Sequence, residues 1–404
     1  MMALTRWKYG DREIIVSHKA DALTVSLTEQ NLVSYDHAGR YLGSYDRGTN
    51  IRRGLDNIFQ RRWRDGGKTG PTLRQRSLRD DEARVHLEDL RAQVGRLLED
   101  RTAAAAHPAT KEVLQRAVDY SYDRLASSAR DFSQLYGHIP ILPPDQYRAL
   151  VVQATDGCTY NKCTFCTLYR DKTFHVRTPG EFREHIRLVL DFMGEGLSYR
   201  TSLFLGDANA IAITTARLFE LVNILHETPA LQKALKHGGI HAFMDIYTGT
   251  RKTVDDYRKL KELGLRRVSL GVESGDEALL TFVQKPGSRQ NVYDVVHSLK
   301  AAGVAVVIIF MVGLGGHDFR EKHLNESASL AQLLPLSKGD IIYLSAFSPN
   351  PQAPYLPLAA EIGLRAMTVD EINTEMQEWK KVLGDTIHGT GAKVVPYSFQ
   401  RFIY

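Results

Sequence analysis

Cysteine is scarce in this chain of 404 residues: there are three, and all fall between positions 158 and 166. So few and so local a set excludes a disulfide framework, which needs even numbers and wide spread. No apolar run is long enough to cross a bilayer. The longest, VAVVIIFMVGLGG at 304–316, ends in glycines and reads as a buried strand. The opening MMALTRWKYGDREIIV has no apolar stretch followed by small residues, so no signal peptide, no membrane partner and a cytoplasmic location are expected, in keeping with clustered reduced cysteines. A formal net charge of +5 permits nucleic acid or an anionic ligand without arguing for either. What is present is ordinary for a globular protein, with 43% hydrophobic and 25% charged residues and length for one large domain plus a smaller one.

Residues 1–50 alternate apolar and polar side chains in short runs, with a glycine-containing turn at Asp36–Arg40, and predict a small antiparallel β unit. Residues 51–80 turn basic. Arg52, Arg53, Arg61, Arg62, Arg64, Lys68, Arg74, Arg76 and Arg79 fall among glycine and proline, with Phe59 and Trp63 between them. The plain reading is a solvated linker; the functional one is a phosphate-contacting surface with Trp63 free to stack on a base. Residues 81–146 carry helical periodicity in two stretches, Val85 to Leu98 and Ala109 to Leu125, joined by Ala103–Pro108, and predict a helical hairpin.

From residue 147 to 385 strands and helices alternate. Apolar strand-like runs at 149–153, 201–205, 239–244, 267–272, 304–312 and 341–347 are each followed by a helical pattern, and 386–404 is left as a C-terminal tail. Six such repeats predict an α/β fold, a partial (β/α)6 TIM-like barrel, preceded by the β unit and the hairpin. Function in such a barrel collects on the loops that follow the strands. The loop after the first strand is TDGCTYNKCTFCTLYR, residues 155–170, which holds Cys158, Cys163 and Cys166 with gaps of four and two residues.

Polar neighbours argue against three inert core thiols. A zinc site would need a fourth donor, for which His175 is nearest, or a water in a catalytic centre. An iron–sulfur site would place three cysteines on three irons of a four-iron cluster and leave the fourth open, with Lys162, Arg170 and Lys172 offsetting its negative charge.

A three-cysteine loop with Phe165 just before its last cysteine, after the first strand of a six-unit parallel barrel, resembles the radical S-adenosylmethionine (radical SAM) superfamily. Most members have three residues in the first gap; here there are four. The resemblance implies a [4Fe–4S] cluster on the three cysteines and SAM as the second cofactor. It also implies a set of SAM contacts: Phe165 at the cluster, Gly206, Asp207 and Asn209 after the second strand, Asp245 after the third, Ser269 and Glu273 on the fourth, and Gly313 after the fifth. The segment from Gly271 to Lys285 is similar to the branch that contains the oxygen-independent coproporphyrinogen oxidases, and puts Lys285 where a basic residue would meet the SAM carboxylate. The implied reaction is reductive cleavage of SAM to a 5′-deoxyadenosyl radical that takes a hydrogen from a substrate. Rearrangement, oxidation, elimination or coupling would follow, which covers oxidoreductases, lyases and transferases.

The partners implied are a small-molecule substrate and an electron donor such as flavodoxin or ferredoxin. With no further cysteine there is no auxiliary cluster, and no Asp-x-His-x-x-Gly run suggests cobalamin. No hydrogen-donating or hydrogen-accepting catalytic residue stands out. Two other functions remain open at this point: an RNA-binding or RNA-modifying protein that uses 51–80, and a zinc-dependent barrel hydrolase.

Overall fold

The computed structural model describes residues 3–67, 70–100, 107–397 and 402–404. Lys68 of the basic stretch and most of the 103–108 connection lie outside the described residues. The chain divides into two units, 1–139 with 186–201 and 403–404, and 140–185 with 202–402.

The first unit is built on eight antiparallel strands in chain order: β1 (Ala3–Tyr9), β2 (Arg12–His18), β3 (Leu23–Thr28), β4 (Asn31–Tyr35), β5 (Tyr41–Asp46), β6 (Thr49–Arg53), β7 (Phe59–Gly67) and β8 (Gly70–Ser77). Alternation decides the face. Ile14 and Val16, Leu23, Val25 and Leu27, Val33 and Tyr35 all point into one core. Helices α1 (Asp80–Glu99), α2 (Pro108–Asp119) and α3 (Tyr122–Tyr136) follow, and Leu87, Leu90, Val94, Leu114 and Leu125 join that core. The expected turn at 36–40 is closed by Asp36, which accepts from the Arg40 amide at 2.8 Å. Gly39 is required there: its φ is +88°, and a Cβ would lie 2.5 Å from the Arg116 backbone.

Two expectations are corrected in this unit. Residues 51–80 are not a linker; the sheet runs on to Ser77. Strand residues alternate sides, so consecutive arginines such as Arg61 and Arg62 turn to opposite faces while the paired backbone stays in the ladder. Arg62 donates to Gln60 and Gln75, Arg76 makes a two-pronged pair with Glu82 at 2.7 and 2.8 Å, and Arg61 lies over the Trp63 ring. The second expected helix is two helices, because Ser121 caps α3 by accepting from the Arg124 amide.

The second unit holds a seven-stranded parallel sheet, ordered β17-β16-β15-β14-β13-β12-β9. Its strands are β9 (Ala149–Gln153), β12 (Ser202–Gly206), β13 (Ile240–Met244), β14 (Leu265–Glu273), β15 (Ala305–Val312), β16 (Ile341–Ala346) and β17 (Lys393–Tyr397). Between β9 and β12 a two-residue pair, β10 (Thr155–Asp156) with β11 (His175–Val176), brackets the cysteine loop. The helices α4 (Pro179–Met193), α5 (Thr215–Glu227), α6 (Gln232–His237), α7 (Val254–Glu262), α8 (Glu277–Phe282), α9 (Arg289–Ala301), α10 (Gly316–Leu333), α11 (Tyr355–Glu361) and α12 (Val369–Thr386) connect the strands. Nearly every residue of β9, β12 and β15 is buried, as parallel strands covered on both faces must be.

The partial barrel is therefore as expected, with one addition. The segment read as a tail supplies a seventh strand, β17, paired parallel to β16. Pro396 within Lys-Val-Val-Pro-Tyr hides that strand in the sequence, and an edge position tolerates it because one side of the ladder needs no donor. The strand ends opposite the loops are closed by Asp145, which accepts from Arg267 at 2.5 Å and from the Tyr343 hydroxyl at 3.0 Å. Among the described residues no helix is long and apolar enough to cross a membrane.

Candidate functional site

The loop between β10 and β11 is held from several directions. Gly157 turns it with φ at +74°, and its amide donates to Asp207 Oδ2 at 3.2 Å. Lys172 Nζ meets the same oxygen at 3.0 Å, while Asp207 Oδ1 accepts from Gln153 Nε2 at 2.9 Å. The first inter-cysteine gap contains Asn161, whose φ of +52° lies in the left-handed region that asparagine tolerates better than other side chains. Its Nδ2 donates to the Tyr169 carbonyl at 2.6 Å. The four-residue gap is thus closed by a left-handed asparagine, its third residue, that ties it to the loop's far end. Arg170 then clamps the two later cysteines from outside, donating to the Cys163 carbonyl at 2.8 Å and to the Cys166 carbonyl at 3.0 Å. Thr164 hangs from the Val283 carbonyl by amide and hydroxyl.

Cys158, Cys163 and Cys166 all line one cavity of about 270 Å³ at the loop end of the barrel. Burial holds the Cys163 thiol up at about 11 and pushes the Cys166 thiol up as well; the Lys285 ammonium pulls both the other way. Half-buried thiols of this kind become thiolates when a metal takes the place of the proton.

On the opposite wall β14 ends in a bulge, and Glu273 takes φ of +64°. Holding a non-glycine residue there costs about 1–3 kcal/mol, and the turn aims its carboxylate into the cavity. Lys285 Nζ stands 3.6 Å from Glu273 Oε1, with both side chains close to nine-tenths buried. Burial raises the Glu273 carboxyl above its usual range against the pull of Lys285. For Lys285, burial alone would lower the ammonium, but Glu273 and the thiols of Cys163 and Cys166 hold it above its ordinary value. Two features show how this corner is built: an open acceptor and a close approach that only glycine allows. Glu273 Oε2 is buried with no hydrogen-bond partner, and a Cβ on Gly271 would sit 2.8 Å from Glu273 Oε1 and 3.7 Å from Lys285 Nζ.

The expected site residues divide into two groups. Phe165, Asn209, Asp245, Glu273 and Lys285 line the cavity with the three cysteines. Asn209 and Asp245 are bonded to each other, with Asn209 Oδ1 accepting from the Asp245 amide at 3.0 Å; Thr159 donates to Asp245 and accepts from Asn209. Gly206, Asp207, Ser269 and Gly313 do not line it. Asp207 faces the base of the cysteine loop, as above. Ser269 is buried within β14, and Gly313 turns toward α12, where a Cβ would meet Ile372 at 3.0 Å. Sequence reasoning missed Ile141, Phe243, Ser345, Phe347 and Tyr397, which complete the wall. The run Ile341–Phe347 pointed to β16, but nothing in the sequence marks Tyr397 as a neighbour of the cysteines.

Among the described residues, no three His, Cys, Asp or Glu side chains converge on one ion. A zinc centre needs donors that meet at about 2.0–2.3 Å from a single atom, whereas a four-iron cluster spreads three thiolates over three irons. His175, the nearest fourth zinc donor by sequence, faces Glu181 at 3.3 Å.

Residues 152–327 match the family model described as the radical SAM superfamily. No curated protein matches the chain. Similar solved structures include a radical SAM methyltransferase from Sphaerobacter thermophilus, with 17% identity and TM-score 0.43 over 63% of this chain and 68% of that one. The methyltransferase TsrM from Kitasatospora setae, with cobalamin and a [4Fe-4S] cluster bound, is 15% identical with TM-score 0.39 over 54% and 38%. Coproporphyrinogen III oxidase (HemN) from Escherichia coli is 15% identical with TM-score 0.43 over 66% and 57%. The chain thus spans less than two thirds of the length of the second and third of these.

Proposed function

We propose that this chain, which belongs to the radical SAM superfamily through residues 152–327, uses the cavity beside its cysteine loop to cleave SAM and start hydrogen abstraction from a small molecule. Membership makes it an enzyme whose cofactors are a [4Fe–4S] cluster and SAM.

The residues present suit both groups. Cys158, Cys163 and Cys166 on one wall would hold three irons, and Phe165 would pack beside them. On the other wall Glu273 offers an unpartnered buried oxygen for a hydroxyl or ammonium donor and Lys285 a cation for a carboxylate, while the missing Cβ of Gly271 leaves room for the Glu273 carboxylate itself. When bound, the cluster and SAM supply one-electron cleavage of a carbon–sulfur bond and a carbon radical able to abstract hydrogen. The protein binds, orients and excludes water. Asp207, away from the cavity, fixes the entrance of the cysteine loop through Gly157 and Lys172, which we assign as a positioning role rather than a SAM contact. Asn209 and Asp245 brace Thr159 of the loop against the end of β13. The apolar wall of Phe243, Ile309 and Phe347 keeps solvent hydrogen donors out. We assign the one-electron supply to a flavodoxin- or ferredoxin-type donor and the location to the cytoplasm, where clustered thiols stay reduced.

The observation that carries this reading is the convergence of all three cysteines with the Glu273–Lys285 pair on one cavity. Protein reconstituted anaerobically with iron and sulfide should be brown and, with SAM and dithionite, release 5′-deoxyadenosine. Cys163→Ala should abolish both. Colourless reconstituted protein, or a Cys163→Ala protein that still cleaves SAM, would sink it. Neither other function gains a supporting observation: Arg61, Arg62 and Arg76 are engaged within the N-terminal unit, and among the described residues the cysteines lack a mononuclear geometry.

A further inference from the structure

We infer that the substrate of this cavity is an uncharged, largely apolar or aromatic small molecule that presents no more than hydroxyl or carbonyl groups to the protein. The inference rests on the reading of the site just given and deepens it.

Among the described residues, three formally charged side chains besides the thiols line the cavity, Asp245, Glu273 and Lys285, and none of these is left over for a substrate. Both oxygens of Asp245 are occupied. Oδ1 accepts from the Tyr247 amide at 3.1 Å and the Thr248 amide at 2.6 Å, and Oδ2 from Thr159 and Asn209. Glu273 and Lys285 are paired across 3.6 Å beside the thiols, where the cofactor would take up what the pair leaves open. Away from that corner the wall is Ile141, Phe243, Ile309, Met311, Phe347 and Tyr397. Tyr397 shows its ring, since its hydroxyl donates to the Leu142 carbonyl at 3.1 Å. Asn350 is also committed, with Nδ2 on Thr167 Oγ1 and Oδ1 on the Gln352 amide. Among the described residues, the hydroxyls of Ser345 and Ser348 are the polar groups left facing this wall.

A carboxylate, phosphate or ammonium placed there would lose its water and gain no counter-charge, which is the most expensive form of polar burial. A neutral ring or alkyl framework gains from the same contact. A single hydroxyl or carbonyl could be met by Ser345 or Ser348.

The test uses reconstituted, SAM-loaded protein and three probes of equal shape: 2-naphthalenemethanol, 2-naphthoate and 2-naphthylmethylammonium. Equilibrium dialysis should show the neutral probe binding at least about tenfold more tightly than either ion. Ile309→Lys, or Phe347→Lys at the end of β16 should the first variant fail to fold, should turn the preference to 2-naphthoate by a similar factor. Equal or tighter binding of an ion, no binding of the neutral probe, or a preference unmoved by both lysines would overturn the inference. Iron, sulfide and retained SAM are measured on the same samples. A sample that holds cluster and SAM yet prefers an ion overturns the substrate class alone. One that takes up neither overturns the reading of the site beneath it.

Discussion

Lys285 and Glu273 form the charge pair on which the cofactor corner depends, and removing one partner tests that directly. At 3.6 Å and an effective dielectric of about 20, their attraction is about 4–5 kcal/mol. Desolvation offsets much of this in the intact pair. Lys285→Met removes the attraction and leaves a carboxylate buried, for an expected loss of about 3–5 kcal/mol. Lys285→Met with Glu273→Gln removes both charges and should return to within about 1 kcal/mol of the parent, because neither desolvated charge remains. The chain has three tryptophans, Trp7, Trp63 and Trp379. Trp379 is fully buried on α12. In a Trp7→Phe, Trp63→Phe background, its fluorescence therefore reports urea unfolding of the barrel without the N-terminal sheet. SAM affinity, measured in parallel, should fall in both the single and the double variant, since neither keeps the cation. A single variant within 1 kcal/mol of the parent, or a double variant as unstable as the single, would refute the argument that the pair is buried and coupled.

Three other outcomes follow from local geometry. Burial drives His185 down to about 3, where its Nε2 accepts from the Gln153 amide. The folded state therefore binds fewer protons than the unfolded one below about pH 6.5, and its stability is full above that value and lost as pH falls. Between pH 6.5 and 5 this group should cost about 2 kcal/mol, and His185→Gln should flatten that part of a stability-versus-pH curve; an unchanged slope would count against it. Asn161→Ala puts a poor residue at φ +52° and deletes two backbone-directed bonds. It should speed chelator-driven iron loss several-fold, with Asn161→Gly milder because glycine keeps the left-handed turn; equal rates for the two would remove the backbone argument. Gly271→Ala brings a methyl to 2.8 Å from Glu273 Oε1. The Glu273 carboxylate must shift, so SAM affinity should fall at least about tenfold with iron and sulfide content unchanged, and parent-like affinity would show that the position of Glu273 does not matter to SAM.

The cysteine spacing and the period of the strands were legible without coordinates because both are short-range. Three thiols within nine positions need no tertiary contact to be recognised, and β9 and β12 to β16 each bury a run of apolar residues. Legibility failed where the signal was weak or ambiguous. The arginines of 51–80 look like a solvated run until strand pairing places most of them within β6, β7 and β8. Pro396 disguised β17 as a tail. Strand-end residues were placed by order along the chain, and order alone does not say which way a side chain turns. Asp207 faces the base of the loop, Gly313 faces Ile372, and Glu273 enters the cavity because β14 bulges before it.

By itself, then, the sequence determined a parallel α/β barrel with a three-cysteine loop after its first strand, because apolar periodicity and ligand spacing are written in consecutive residues. The tertiary structure decided the rest. It brought Glu273, Lys285 and Tyr397, which stand 107, 119 and 231 positions beyond Cys166, to the one cavity that the three cysteines line. Contacts between residues far apart in the chain arise from strand register and bulges, and those are set by the packing of the whole barrel rather than by any local run.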